Sequence, residues 1–334
     1  MIEMALIGCG YWGKNYVKTF GDLDRFRLKY IVDAKAPSIK IPEGIKIINS
    51  LDTMLSDSDV EGVIVATPTI THYDIASKVL DAGKHVLVEK PITTRSDEAK
   101  KLCDIANKKK IILMAGHIFE YNNAVQEVKK RIDDGEVGQL RYIESRRVGL
   151  GPVRQDVSVL WDFATHDIYI SNLFVGKKPN SISCNSISHN GSLSDISCLN
   201  LKYNNPEVLS SIYVNWEHPV KERQIIIGGS KKAILFNDME PSEKLKIYDR
   251  GLNFNISENS GGMGEFQTIT REGDTLIPKL KLMSPLENQL IHFGDCIEGK
   301  TECLTDGYKG LEIIEILEAA EESMKNGGKE IILK

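Results

Sequence analysis

Apolar residues in this chain occur first in short unbroken runs and later in alternation with polar ones. Residues 4–7, 28–32, 63–66, 86–88 and 111–115 are near-continuous apolar runs, the pattern of strands buried on both faces of a parallel sheet. Segments 14–20, 51–55, 70–82 and 96–109 stand between or beside them and read as helices, and 45–48 adds a short strand. Strand and helix alternate, which predicts an α/β doubly wound parallel sheet of the Rossmann kind.

The pattern changes after residue 118. Helices at 125–132 and 160–174 accompany strand-like segments at 140–148, 181–188, 196–203, 208–216, 224–227 and 233–236, with turn signals at Asn190-Gly191 and Asn204-Asn205-Pro206. Such a series predicts an open, mostly antiparallel sheet in an α+β domain. Its uncovered face is a candidate oligomer contact, for a homodimer or homotetramer, because a large apolar sheet face is seldom left bare. Residues 249–282 are irregular and glycine-rich and read either as a loop over the site or as an oligomer contact. Helices at 286–297 and 307–324 and a strand at 330–333 end the chain. The expected division is a nucleotide-binding domain, 1–118, and a substrate-binding and oligomerisation domain, 119–334, whose last elements pack back towards the first.

Size supports two cores: 334 residues exceed what one core usually holds. A formal net charge of -5 argues against nucleic acid or an acidic membrane as partner. The run Lys108-Lys109-Lys110 closes a helix, where cations complement the dipole. Six cysteines without a C-x-x-C pair show neither a metal ribbon nor a redox motif, and reduced thiols suit the cytoplasm. No leader-like or membrane-spanning apolar stretch is visible, so a cytoplasmic protein without a bound metal is expected.

The candidate chemistry sits at the carboxyl ends of the predicted parallel strands, where such sheets bind ligands. Gly8-Cys9-Gly10-Tyr11-Trp12-Gly13 is a G-x-G-x-x-G turn between strand and helix. Such a turn brings the backbone close to a pyrophosphate and sets the anion on a helix N-terminus. Asp33 ends the second strand, where a carboxylate can accept from adenosine-ribose hydroxyls and repel a 2′-phosphate. That favours NAD over NADP, although Lys35 partly offsets the repulsion. Thr67-Pro68 and Glu89-Lys90-Pro91 end two further strands and face the same crevice, and His72 is either a helix-start residue held by backbone groups or a cofactor contact. Asp162 and His166 stand four apart on a predicted helix. Arg154 is either a bidentate anion binder or a solvated loop residue.

Taken together, Gly8-x-Gly10-x-x-Gly13, Thr67-Pro68-x-x-x-His72 and Glu89-Lys90-Pro91 resemble the glucose-fructose oxidoreductase, inositol dehydrogenase and rhizopine catabolism (Gfo/Idh/MocA) family. Residues 116–122, 160–168 and 285–297 extend the resemblance towards its branch acting on sugar nucleotides. Asn123 and Thr165 depart from that branch, which often has proline at the first position and proline or a small residue at the second. The resemblance implies an NAD-dependent dehydrogenase acting on a sugar or sugar-nucleotide hydroxyl. The cofactor would lie on Gly8, Gly10, Tyr11, Trp12, Gly13, Asp33, Thr67, Pro68, His72, Glu89 and Lys90. In that scheme Lys90 stabilises the reacting oxygen, His166 is the base and Asp162 orients substrate or imidazole. Tyr121, Asn122 and Arg154 would complete the substrate pocket.

Overall fold

The computed structural model describes residues 1–333 except 152, 190, 192, 254–268 and 282. The chain forms two compact units, each assembled from separate segments. The first holds residues 1–122, 154–169 and 283–322; the second holds 123–153, 170–282 and 323–334.

The first unit is built on six strands: β1 (Ile2–Ile7), β2 (Phe26–Val32), β3 (Lys46–Ile48), β4 (Gly62–Val65), β5 (His85–Val88) and β6 (Leu113–Ala115). They pair in parallel in the order β3-β2-β1-β4-β5-β6. The chain winds outward from β1 to one side and then resumes at β4 on the other, which opens a crevice at the carboxyl ends between β1 and β4. The unbroken apolar runs are explained by double-sided burial: Met4, Leu6, Ile31, Ile64, Leu87 and Met114 are fully buried. Each such side chain stabilises the fold by roughly 1.5–3 kcal/mol.

Helices α1 (Gly13–Gly21), α2 (Leu51–Leu55), α3 (His72–Asp81) and α4 (Ser96–Lys109) fall where the spacing predicted them. A single 3-10 turn, Thr69–Thr71, precedes α3. Ser96, which resembles an N-cap in sequence, is instead the first residue of α4. Its N–H and hydroxyl both donate to the Glu318 carboxylate, at 2.9 and 2.6 Å, so the first amide of this helix is met from a distant segment.

In the second unit α5 (Asn123–Asp133) accompanies a mixed nine-stranded sheet. Its strands are β7 (Leu140–Val148), β8 (Ser181–Ile187), β9 (Ile196–Tyr203), β10 (Val208–Asn215), β11 (Glu222–Gly229), β12 (Ala233–Asn237), β13 (Leu245–Tyr248), β16 (Thr275–Leu276) and β17 (Ile331–Ile332). β14 (Gly251–Asn253) and β15 (Ile269–Arg271) pair separately. β7 and β10 run parallel and the other neighbours antiparallel. One face is packed, with Leu199, Leu201, Ile212, Val214, Ile225, Ile227 and Phe236 almost fully buried, whereas Tyr142 and Leu209 are 44% exposed. β13, with four residues, and β16, with two, are too short to stand out in the sequence. Most of the irregular 249–282 segment, and half of the Asn190-Gly191 turn, lie outside the described residues. The helix expected over 160–174 begins differently: Leu160–Ala164 is one π-helical turn, and only then does α6 (Thr165–Val175) follow. No described helix is long and apolar enough to cross a membrane.

Candidate active site

The three glycines after β1 have different reasons to be glycine. Gly8 has φ +89°, and a Cβ there would lie 2.8 Å from the Ala66 carbonyl oxygen and Thr67 Cγ2. At Gly13 a Cβ would lie 2.0 Å from the Gly8 carbonyl oxygen, so helix and turn can touch only without one. At Gly10 a Cβ would meet no protein atom within 4 Å. Two glycines thus serve the turn's own packing, and the third leaves open space where a pyrophosphate would approach. The turn runs directly into the N-terminus of α1, the end of a helix that favours an anion. Asp33 closes the turn: Oδ2 accepts from Cys9 N at 2.7 Å and Oδ1 from Lys35 N at 2.9 Å. Its remaining lone pairs can serve a ribose diol, and the turn therefore fits a dinucleotide.

The ends of β4 and β5 are tied to this turn. Thr67 packs its methyl on Gly8, and its hydroxyl accepts from Thr71 at 2.8 Å. Glu89 Oε1 takes the Trp12 indole N–H and the Tyr16 hydroxyl, the latter at 2.6 Å. Burial pushes the Glu89 carboxyl above its ordinary range, against the pull of those donors and of Lys90. His72 is 1% exposed; Nδ1 and Nε2 each lie 2.9 Å from a carbonyl, of Pro91 and Thr67 respectively. It braces the two loops that carry Thr67 and Lys90. Tyr11, by contrast, is 80% exposed.

Lys90 extends from the end of β5 to the π-helical turn. Its Nζ donates to the Asp162 carbonyl oxygen at 2.9 Å and to Oδ1 at 3.1 Å, and both side chains are 16% exposed. Burial opposes ionisation of Asp162, but Lys90 and then Arg154 outweigh it and hold the carboxyl below its usual value. Arg154 is not a solvated loop residue. Its guanidinium forks onto Asp156 and reaches Thr69 Oγ1 at 3.1 Å and Asp162 Oδ1 at 3.4 Å. That leaves it a support for Asp162 with little capacity for a second bidentate partner.

The wide turn is itself held in place. Trp161 Nε1 donates to Glu321 at 2.7 Å, and the Thr165 hydroxyl bonds back to the Trp161 carbonyl oxygen. Single π-turns recur at functional sites. Here the turn aims a carbonyl and a carboxylate from one residue, Asp162, at one ammonium. Thr165, which departs from the family pattern, is the residue that closes it. His166, in the first turn of α6, sits edge-on to the Phe119 ring at 5.1 Å.

The segment after β6 differs from expectation. Tyr121 is buried, with its hydroxyl 3.1 Å from Thr305 Oγ1 and its ring 5.5 Å from that of His292, so it is occupied on the side of α7 (Pro285–Ile297). Asn122 is also buried. His117, part of the family-like stretch but not of the expected site, is 2% exposed and stacks on Tyr169. A histidine directly after a buried parallel strand was the available signal. Away from these residues, His189, Asp195 and Glu217 of the second unit bring their ligand-type atoms within 4.8 Å of one another.

Three histidines of the first unit make a pH prediction. Burial lowers the pKa of His72 and His85, and burial together with the Lys90 charge pushes His117 down to about 3. The unfolded value is about 6.5, so the unfolded chain protonates first as pH falls. Stability is full above that value and is lost below it. For His117 alone the loss is about 1.4 kcal/mol per pH unit around pH 5. Urea unfolding of His117→Gln at pH 6, 5 and 4.5 should show a shallower loss than wild type; equal slopes would contradict this.

Residues 2–117 match a family model described as oxidoreductase family, NAD-binding Rossmann fold, and residues 125–235 match one described as GFO/IDH/MocA C-terminal domain. The chain is 28% identical over 183 residues to UDP-N-acetylglucosamine 3-dehydrogenase of Acidithiobacillus ferrooxidans, a match spanning 54% of this chain and 56% of that enzyme. It is 25% identical over 289 residues to the NAD(+) scyllo-inositol 2-dehydrogenase of Bacillus subtilis, covering 82% and 78%. The fold is shared with the WlbA dehydrogenase from Bordetella pertussis, solved in complex with NADH and UDP-GlcNAcA. That likeness has a TM-score of 0.78 and 22% identity, covering 100% of this chain and 99% of the other.

Proposed function

Because the chain belongs to the Gfo/Idh/MocA family of NAD-binding oxidoreductases, we propose that it oxidises or reduces a sugar carbon, C3 of a nucleotide-linked N-acetylhexosamine or its uronic acid. The observation that carries this reading is the Lys90–Asp162 pair, set at the end of β5 in the crevice that also holds the glycine turn. NAD(H), when bound, supplies the hydride acceptor or donor. Lys90 offers an ammonium to the oxygen on which negative charge develops, an electrostatic effect that is large in a site already shielded from water. Asp162, itself supported by Arg154, holds that ammonium in place. His166 takes the hydroxyl proton in the oxidative direction, a step worth about 10²- to 10⁴-fold. Glu89, tied to Trp12 and Tyr16, keeps β5 registered on the glycine turn.

Asp33 at the end of β2 favours NAD over NADP. The name of the Acidithiobacillus relative and the ligands of the Bordetella structure support a UDP-linked substrate. The longer match to a scyllo-inositol dehydrogenase supports a free polyol as the second reading. A non-catalytic nucleotide sensor needs the glycine turn and Asp33 but has no use for a half-buried Lys–Asp pair. In the second unit, the exposed side of the nine-stranded sheet with Tyr142 and Leu209 is the face by which copies would associate.

The test is a substrate panel read by reduced-nicotinamide absorbance, with UDP-N-acetylglucosamine, its uronic acid, myo-inositol and free hexoses against NAD and NADP. The reading predicts that a UDP sugar with NAD gives the largest kcat/KM. Faster turnover of myo-inositol would replace it with the polyol reading, and no turnover with any compound would leave the sensor.

A further inference from the structure

His117 plays no part in the chemistry above, yet its setting is unusual. It is 2% exposed, and neither ring nitrogen has a hydrogen-bond partner among the described residues. A buried polar group left unpaired costs about 1–3 kcal/mol, and native proteins keep few of them.

The ring is held by its face. It stacks on Tyr169 with centroids 4.5 Å apart and planes 15° apart, and the Tyr169 hydroxyl donates to Glu120 Oε2 at 2.7 Å. Stacking holds the imidazole by its face, and its in-plane edges, where the N–H and the lone pair lie, are buried without a partner among the described residues. The backbone is fixed as well: Gly116 N donates to Val88 O and His117 N to Ala115 O, both at 2.7 Å. Gly116 lies so close to β5 that a Cβ there would sit 3.1 Å from Lys90 N. His117 therefore leaves the end of β6 immediately beside the strand that carries Lys90.

Strand order indicates which ligand it meets. From the glycine turn at β1 the sequence across the sheet is β4, β5, β6, so a dinucleotide laid from β1 brings its reactive ring to Lys90 on β5. A group at the end of β6 lies beyond that point. Burial and the Lys90 charge keep the imidazole neutral near pH 7, which gives it one donor and one acceptor nitrogen. A hydroxyl matches either.

We propose that His117 is a substrate-positioning residue that hydrogen-bonds a sugar hydroxyl next to the reacting carbon. The proposal rests on the dehydrogenase reading. It explains why an unpaired imidazole persists in the core: the stability it forgoes is exchanged for a contact made only with substrate.

The test uses His117→Phe, which keeps the stack and removes both nitrogens, and His117→Asn, which restores a donor and an acceptor. Wild type is assayed first with UDP-N-acetylglucosamine and with myo-inositol. If it oxidises neither, the dehydrogenase reading fails before any variant is made, and this proposal fails with it. With whichever sugar wild type oxidises, His117→Phe should raise KM by roughly 10- to 100-fold, the range for losing one or two buried hydrogen bonds. Its NADH affinity, read by fluorescence, should stay within about twofold, and its Tm should be unchanged or higher, because an unmet polar group has been removed. His117→Asn should recover part of the KM. A weakened NADH affinity with unchanged sugar KM would make His117 a cofactor contact, and a lower Tm with unchanged kinetics would make it purely structural. Either overturns the proposal.

Discussion

Lys90→Met lowers kcat by about 10³-fold or more and leaves NADH affinity within about twofold. Removing one preorganised donor from a developing oxyanion costs about 10²- to 10³-fold, and the substitution also releases Asp162 from its ammonium partner at 3.1 Å. The fold should survive, because Arg154 still lies 3.4 Å from the same carboxylate oxygen and keeps its charge from being stranded. Methionine retains most of the apolar stem. Steady-state kinetics with NADH fluorescence titration check this. Wild-type turnover in the variant would remove Lys90 from the chemistry, and loss of NADH binding would make it a cofactor ligand.

A second large effect separates two glycines of one motif. Gly13→Ala places a Cβ 2.0 Å from the Gly8 carbonyl oxygen, a backbone atom that cannot yield without opening the turn. Overpacking of this kind costs about 3 kcal/mol or more, and NADH binding should fall with it. Gly10→Val puts its side chain where no protein atom lies within 4 Å. It should leave Tm unchanged and weaken NADH by at least about tenfold, since only the ligand is displaced. Thermal melts and fluorescence titrations of both variants decide. Equal loss of stability, or tight NADH binding by Gly10→Val, would contradict the division of roles drawn from the turn.

The parallel sheet was legible because its strands are buried on both sides and so show as unbroken apolar runs, and the glycine turn because steric demands leave few residues that fit. The antiparallel unit was legible down to β12 and then faded. β13 does alternate, with Leu245 and Ile247 buried, but over only four residues, and the two exposed residues of β16 owe their place to pairing with β13. Lys90 and Asp33 stand at the ends of β5 and β2, as the strand pattern places them, whereas Asp162 is singled out only by its spacing to His166 and the family resemblance. What could not be read was everything that depends on contacts between distant segments. The π-turn at 160–164 is a change of winding with no sequence period of its own. Arg154 reads in sequence as either an anion binder or a solvated loop residue, and the fold sets Asp156, Asp162 and Thr69 around it; Tyr121, expected in the substrate pocket, has Thr305 and His292 beside it. Glu318 supplies the cap that Ser96 was expected to provide. His117 stood within a recognised stretch, but its unpaired nitrogens are a property of packing.

The central claim is that a sugar carbon gives its hydride to nicotinamide beside Lys90. UDP-N-acetylglucosamine carrying deuterium at C3, incubated with NAD and the wild-type protein, tests it by mass spectrometry of the reduced cofactor. The account predicts one deuterium in the NADH formed, with formation suppressed about 10³-fold in Lys90→Met. Unlabelled NADH, or labelled NADH formed equally fast by the variant, would contradict it.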